Sequence, residues 1–395
     1  MPSMTPWKKT FYAVLLAEFL ALAGFGTSMP ITPLFLQDLG VNEQNALNMW
    51  VGAVNFGTSF ALAFMAPIWG RLADSYGRKS MLLRALAGGG LIIFLIGFTQ
   101  TPTQFLILRV MQGAITGTVA AANVLIASVV PEEETGFRLG LLQTGIALGN
   151  SLGPLMGGYM ADAVGHRFTF FVTSLLLVLA ALTVHYGVKE SFQPKLAAKF
   201  SAKSLLPDIR PLFASRAVMT LVILAGCVQL GIAFVIPILP LYVQEIVGGY
   251  RVASTTGLIL GVSALASALA SALTSRVASR LGSARLLYLS FFLAGVFHIP
   301  QAFAWSPDSL LVSRMLTAIM LGMAIPLINI LLAQNTEKAK QGSIYGLAAS
   351  THAVGMAAGP MIAAVVAVAA GYQAVFLCAA VILIGSAWFA RKALK

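Results

Sequence analysis

Apolar stretches of about 20 residues alternate with short polar breaks along the whole chain, and each is long enough to cross ~30 Å of hydrocarbon as a helix. They fall at 11–37, 46–69, 80–99, 103–129, 137–161, 167–188, 216–245, 253–275, 284–304, 308–334, 342–370 and 372–390, which predicts twelve spans. An even number of crossings puts both termini on one side. The pattern also repeats. The string Met29 to Asp38, with Pro30 and Pro33, returns as Ile236 to Glu245, with Pro237 and Pro240, at an offset of 207 (237 less 30). Arg109 answers Arg314, Gly153-Pro154 answers Gly359-Pro360, and Phe170 answers Phe376 at nearly the same offset. Parallel repeats of about six spans are a transporter architecture, with the substrate site at the seam between them. The expected fold is an all-α membrane protein of two pseudo-symmetric six-helix bundles, residues 1–188 and 216–395, joined by a linker at 189–215.

Composition agrees with the spans. Hydrophobic residues make up 58% of the 395 and charged residues 10%, with mean hydropathy +0.87, whereas a soluble domain carries roughly 25% charge. The net charge of +12 is not a nucleic-acid footprint, because the cations gather at alternate breaks and at the termini: Lys8 and Lys9, Arg78 and Lys79, Lys195 to Arg210, Arg276 to Arg285, Arg391 and Lys392. By the positive-inside rule those breaks and both termini are cytoplasmic, which predicts a multi-pass membrane protein. Cys227 and Cys378 lie within spans and read as packing residues, and no Cys/His spacing suggests a metal. The N-terminal Lys8-Lys9 and following apolar run imitate a signal peptide, but the run continues into the proline repeat and reads as an uncleaved first helix. The basic linker reads either as a solvated connection or as carrying a short surface helix near 195–206.

Between spans two and three stands Gly70-Arg71-Leu72-Ala73-Asp74-Ser75-Tyr76-Gly77-Arg78-Lys79. Gly70 allows a close helix approach, Gly77 a tight turn, and Asp74 is a carboxylate among cations that can also cap a helix of the other repeat. With its pattern G-x-L-x-D-x-x-G-R-K, the chain here resembles the major facilitator superfamily. That resemblance implies a conformational latch of Gly70, Asp74, Gly77, Arg78 and Lys79, closed when the transporter faces outward. The second repeat keeps the turn as Gly282 but has Ser279 in place of the acid, so the expected latch is asymmetric. Span four holds Arg109-Val110-Met111-Gln112-Gly113, which matches the superfamily's R-x-x-Q-G. A guanidinium inside hydrocarbon costs ~2.5–3.5 kcal/mol and so either faces a cavity or snorkels outward; the resemblance gives Arg109 a part in proton coupling. Span five holds Gly145, Gly149, Gly153-Pro154 and Gly157-Gly158. Small residues four apart permit close crossing and Pro154 permits a bend, and G-x-x-x-G-P-x-x-G-G resembles the motif of the drug:proton antiporters within that superfamily. The runs Ala46 to Trp50, Pro67 to Arg84, Asn123 to Ala127 and Lys189 to Pro194 extend the likeness over nearly the whole length to the MdtG-type family of bacterial multidrug efflux transporters. Ser75, where that family often has Arg, and the charges of Glu132 to Arg138 depart from its pattern.

An antiporter needs a membrane-embedded group that gains and loses a proton. Glu18 is the one carboxylate clearly inside a span, and with Arg109 it forms the expected coupling pair unless it lies hydrated near the cytoplasmic mouth; His185, His298 and His352 are lesser candidates. Polar residues in apolar spans are expected on a cavity wall: Asn55, Gln112, Asn123, Gln143, Gln229, Asn329 and His352, with Phe25, Met29, Phe56 and Phe234 as soft apolar lining. The expected function is proton-coupled efflux of amphipathic small molecules by a monomer with no cofactor. A transporter of one physiological solute or lipid, or a receptor that no longer transports, are the alternatives. A phosphate-binding G-x-x-x-x-G-K-[ST] is missing and no nucleophile, base and orienter assemble, which argues against ATP as direct energy source and against an enzyme.

Overall fold

The computed structural model describes residues 5–190, 215–337 and 340–394, so the linker interior at 191–214 lies outside the described residues, as does the side chain of Asp74. Twelve spans form two six-helix bundles, and three of the spans are broken into two helices. In the first half α1 (Pro6–Thr27) and α2 (Thr32–Asp38) make span one; α3 (Gln44–Tyr76) and α4 (Arg78–Ile96) make spans two and three. Span four is α5 (Pro102–Ile115) with α6 (Thr118–Val129), followed by α7 (Glu132–Val164) and α8 (His166–Gly187). The second half repeats the pattern with α9 (Arg216–Val235) and α10 (Leu239–Val247), then α11 (Val252–Leu281), α12 (Ser283–Ala302) and α13 (Pro307–Asn335). α14 (Gln341–Ala393) supplies the last two spans, which meet at Gly371, where φ is +80°.

The breaks follow from the sequence. Pro30 lacks the N–H that a continuous helix requires, and hydroxyls take up the carbonyls exposed at the gap. Thr27 Oγ1 donates to Gly24 O at 2.7 Å, Ser28 Oγ to Phe25 O at 2.9 Å, and Thr32 Oγ1 to Ser28 O at 2.8 Å. Pro237 breaks α9 from α10 in the same register. Span four parts at Gly117, whose φ of +122° suits glycine alone, and this break was not expected from its continuous apolar run.

The halves meet at the end of the molecule away from the termini. One apolar core runs from the first half into the far parts of α9 to α11 and α14, including Phe234, Ile259 and Phe376. The termini-side parts of α9 and α12 to α14 pack into a separate core around Leu224, Phe291 and Leu332. Two long seams, α7 on α11 and α3 on α14, join the bundles. They close tightly because glycine is at the crossings. A Cβ on Gly158 would lie 2.2 Å from Ala253 O, one on Gly257 2.2 Å from Pro154 O, and one on Gly52 2.6 Å from the Ala364 methyl. Gln37 Nε2 donates to Gln244 Oε1 at 3.1 Å across 207 positions, the repeat offset itself. Residues related by a two-fold touch only near its axis, so this pair marks the pseudo-axis at the closed end.

Candidate functional site

A cavity of about 800 Å³ lies within the first half and runs from the middle of the bundle to the α3–α4 turn at the termini end. Breaks in spans one and four form its inner wall: Phe25, Ser28, Met29 and Thr32 from the first, Thr116 to Ala121 from the second. Asn55, Thr58 and Trp69 of α3 face them, Arg84 of α4 lines the wall, and Ile236 and Pro237 are the second half's contribution. Three guanidinium groups, Arg78, Arg84 and Arg109, line the cavity, and among the described side chains no Asp or Glu does.

Arg109 is 7% exposed and is held where span one breaks. Its Nη1 donates to Gln112 Oε1 at 3.0 Å and to Ser28 Oγ at 3.4 Å, and its Nη2 to Thr32 Oγ1 at 3.5 Å. Snorkelling is therefore not its state. The same hydroxyls that close the backbone gap in α1–α2 orient this cation. At the duplicate position Arg314 is equally buried, but the residues matching Ser28 and Thr32 are Val235 and Leu239, and its Nη1 has no partner among the described residues.

Glu18 is 0% exposed, so it is not at a hydrated mouth. Its Oε2 accepts from Thr118 Oγ1 at 3.1 Å, and its Oε1 has no partner among the described residues. Thr118 is the first residue of α6 and lines the cavity. The carboxyl thus sits one side chain behind the cavity wall, and no ion pair to it, from Arg109 or elsewhere, is found among the described residues. Arg109 instead reaches Ser28, ten residues further along α1, or about 15 Å of helix rise. Charge on such a carboxylate is expensive unless a proton or a partner neutralises it.

The Arg84 Cζ lies over the Trp69 ring, 3.4 Å from its centroid, and Trp69 Nε1 donates to Ala114 O at 2.6 Å. The Nε and Nη1 of Arg84 have no hydrogen-bond partner among the described residues. In the α3–α4 turn, Gly77 adopts φ +89°, as its tight turn requires, while a Cβ on Gly70 would meet nothing within 4 Å among the described residues. The first N–H groups of α4 are capped from the end of the same bundle: Arg78 N and Lys79 N donate to Glu190 at 3.0 and 2.8 Å. Lys79 Nζ donates to Val188 O at 2.7 Å.

Of the span-five motif, Gly145, Gly149, Gly153 and Gly157 face α1 and its break in their own bundle. A Cβ on Gly149 would lie 2.7 Å from Phe19 O, and one on Gly153 2.5 Å from Ala23 O. Gly158 and the Pro154 carbonyl meet the other half at Ala253 and Gly257 of α11, and the intervening Ser151 and Leu155 meet Gly261. The motif therefore seats the broken first span as well as the seam.

The remaining residues singled out from the sequence fall in several places. Phe25, Met29, Asn55 and Gln112 line the large cavity. Asn123 and Gln143 bond each other at 3.0 Å, and Phe56 stacks on Phe60 along α3. Asn329 and His352 line a separate space of about 260 Å³ in the second half. Phe234 is buried at the closed end and Gln229 packs near Gly355. His298 is wholly buried, its Nδ1 2.8 Å from Ala294 O. Ser28, Thr32, Trp69, Arg84 and Thr118 were not anticipated. Hydroxyl residues beside Pro30 and the Thr116-Gly117-Thr118 string were the available signals.

The family model described as Major Facilitator Superfamily matches residues 14–297 and 221–394. Multidrug resistance protein MdtG of Yersinia enterocolitica is 34% identical over 399 residues, covering 100% of this chain and 95% of that protein. The Escherichia coli protein of the same name is 34% identical over 390 residues, covering 98% and 95%. Among solved structures, the nucleoside transporter NupG superposes with a TM-score of 0.76 at 16% identity, covering 98% of this chain and 99% of that one. A bacterial homologue of the human lysosomal transporter Spinster superposes with a TM-score of 0.79 at 13% identity, covering 99% and 98%. Twelve spans in two bundles, the motifs in place and full-length relatives lead to one assignment: the chain belongs to the major facilitator superfamily.

Proposed function

We propose that this transporter exports amphipathic small molecules across the bacterial inner membrane in exchange for protons, by alternating access of its two bundles. The bundles are residues 1–188 and 216–395, joined by the 189–215 linker. Both termini are cytoplasmic, as the loop cations require, so the cavity opens inward and the welded end faces out. The observation that carries the reading is Glu18: a wholly buried carboxyl with one oxygen unpartnered among the described residues, linked by Thr118 to the wall of a cavity of about 800 Å³. Substrate against Thr118 alters the environment of Glu18, and the proton it holds is the coupling ion. Arg109 sets the shape of the broken first span instead of pairing with Glu18. Asp74 with Arg78 closes the cytoplasmic end in the outward-facing state, aided by the glycines of the turn.

The full-length relatives named for multidrug resistance support efflux as the direction. The wall joins apolar and aromatic surface to three guanidinium groups, with no carboxylate lining it among the described side chains. It therefore favours amphiphiles with an acidic or acceptor-rich group over permanent cations. The test is transport in reconstituted vesicles under an imposed pH gradient, with anionic, neutral and cationic amphiphiles of similar size. Gradient-driven movement with the anionic and neutral compounds preferred is expected; transport indifferent to the gradient overturns the antiport reading.

A further inference from the structure

The outer ends of the two bundles are joined by more than packing. α11 begins after the turn Gly248-Gly249-Tyr250-Arg251, and Arg251 has φ +51°, the one non-glycine residue with positive φ among those described. Left-handed backbone is not the geometry of a helix cap, and the Arg251 side chain makes no capping bond. A cation at this position also opposes the positive end of the helix dipole. The first turn of α11 therefore has no cap from its own chain segment.

Its cap comes from the other bundle. Asp162, near the end of α7, accepts at Oδ2 from Ser254 N at 2.8 Å and also from the Ser254 hydroxyl. Ser254 is the third residue of α11, whose N–H a capping side chain ordinarily takes. The bond depends on the glycine crossing, because Gly158, one turn before Asp162, lets the backbone at Ala253 approach closely. The pseudo-symmetric seam is built differently. There α3 is capped by its own Glu43, which accepts from Asn45 N at 2.9 Å and Ala46 N at 2.6 Å. The position answering Asp162 at the 206 offset (360 less 154) is Val368, and that seam is closed by Tyr372 bonding Asn48 at 3.0 Å and Gln44. Among the described residues, only the α7–α11 seam carries a helix cap donated across the halves.

We propose that Asp162 is a positioning residue of the transport cycle: by capping α11 from α7 it holds the outer end shut, and its release accompanies outward opening. A cap between two bundles exists only while those bundles touch, so its free energy adds wholly to the closed state. Asp162 thus does at the outer end, on the opposite stroke, what Asp74 does at the cytoplasmic end. The inference rests on the alternating-access part of the proposed function and on nothing about substrate or protons.

The test is a distance measurement by electron–electron resonance on the full chain in lipid nanodiscs. Cys227 and Cys378 are replaced by Ala, and nitroxides are placed at Asn45→Cys and Tyr250→Cys, exposed positions of opposite halves at the outer end. Asp162→Ala is expected to raise the ratio of long to short distances about fivefold, the size of a lost cap. Asp162→Asn keeps an acceptor oxygen and is expected to change the ratio by less than about twofold. Both variants keep the wild-type melting temperature to within a few degrees, since the residue is exposed. Two populations that Asp162→Ala leaves unchanged, or equal shifts in the Ala and Asn variants, overturn the latch and spare the efflux reading. A single fixed distance in every variant overturns both.

Discussion

Arg109 and Glu18 show how a single polar side chain acquires a meaning from what surrounds it. Arg109 is held through its Nη atoms by Gln112 and by hydroxyls that the proline break exposes, its Nε having no partner among the described residues, which ties a cation inside the membrane to the shape of span one. Glu18 is left half satisfied, with one oxygen on Thr118 and the other free among the described residues, and a half-satisfied buried acid is the place where a proton has most to contribute. Arg84 is the third such group. Stacked on Trp69 and without a hydrogen-bond acceptor for Nε and Nη1 among the described residues, it offers its charge to whatever enters. Arg84→Gln should raise the KM for an anionic amphiphile about tenfold and leave a neutral analogue within about twofold, as measured by vesicle uptake. Equal effects on both compounds would assign Arg84 to scaffolding. None of the three environments was legible in the sequence in full. The buried acid and the arginine stood out because charge inside an apolar run is rare, but their expected pairing did not form. Helical spacing gave no means of placing Glu18 and Arg109 about 15 Å apart along α1.

At the scale of elements, spans and their order were readable because hydrocarbon demands long apolar runs, and the proline repeat fixed the register between the halves. The break in span four is weakly signalled because an isolated glycine is tolerated inside a helical pattern, and only Thr116 and Thr118 beside Gly117 interrupt the apolar run. The span-five motif illustrates the opposite case. Its glycines announced a close crossing, yet spacing alone did not say which neighbour they meet, and four of them turn toward α1 and its break. Gly149→Ala should therefore lower stability by about 1–3 kcal/mol through a methyl pressed against the Phe19 carbonyl and the Ala23 amide. Gly136→Ala, where a Cβ meets nothing within 4 Å, should leave the melting temperature unchanged or slightly raised. Equal behaviour of the two variants in a thermal melt would mean that the α1–α7 contact does not constrain the fold.

For the whole molecule, the two cores and two seams describe a body welded at one end and parted at the other. In a chain freed of Cys227 and Cys378, a cysteine at Ala73, on the cavity wall, should react with a membrane-impermeant maleimide from the cytoplasmic side. A cysteine at Asn48, 3% exposed under Tyr372, should resist from both sides. Reaction at Asn48 faster than at Ala73 would place the resting protein in the opposite state. The duplication supplies the paired seams and the axis marked by Gln37 and Gln244. It is broken at the residues proposed to act: Ala225 stands opposite Glu18 at the 207 offset, Ser279 opposite Asp74, and Val368 opposite Asp162. Coupling at Glu18 is the claim on which the account most depends. Its direct test is proton counter-movement during substrate efflux in vesicles, compared between the wild-type chain and Glu18→Gln. The account predicts that Glu18→Gln still binds substrate while substrate-linked proton movement falls at least about tenfold; proton movement at the wild-type rate in that variant would contradict it.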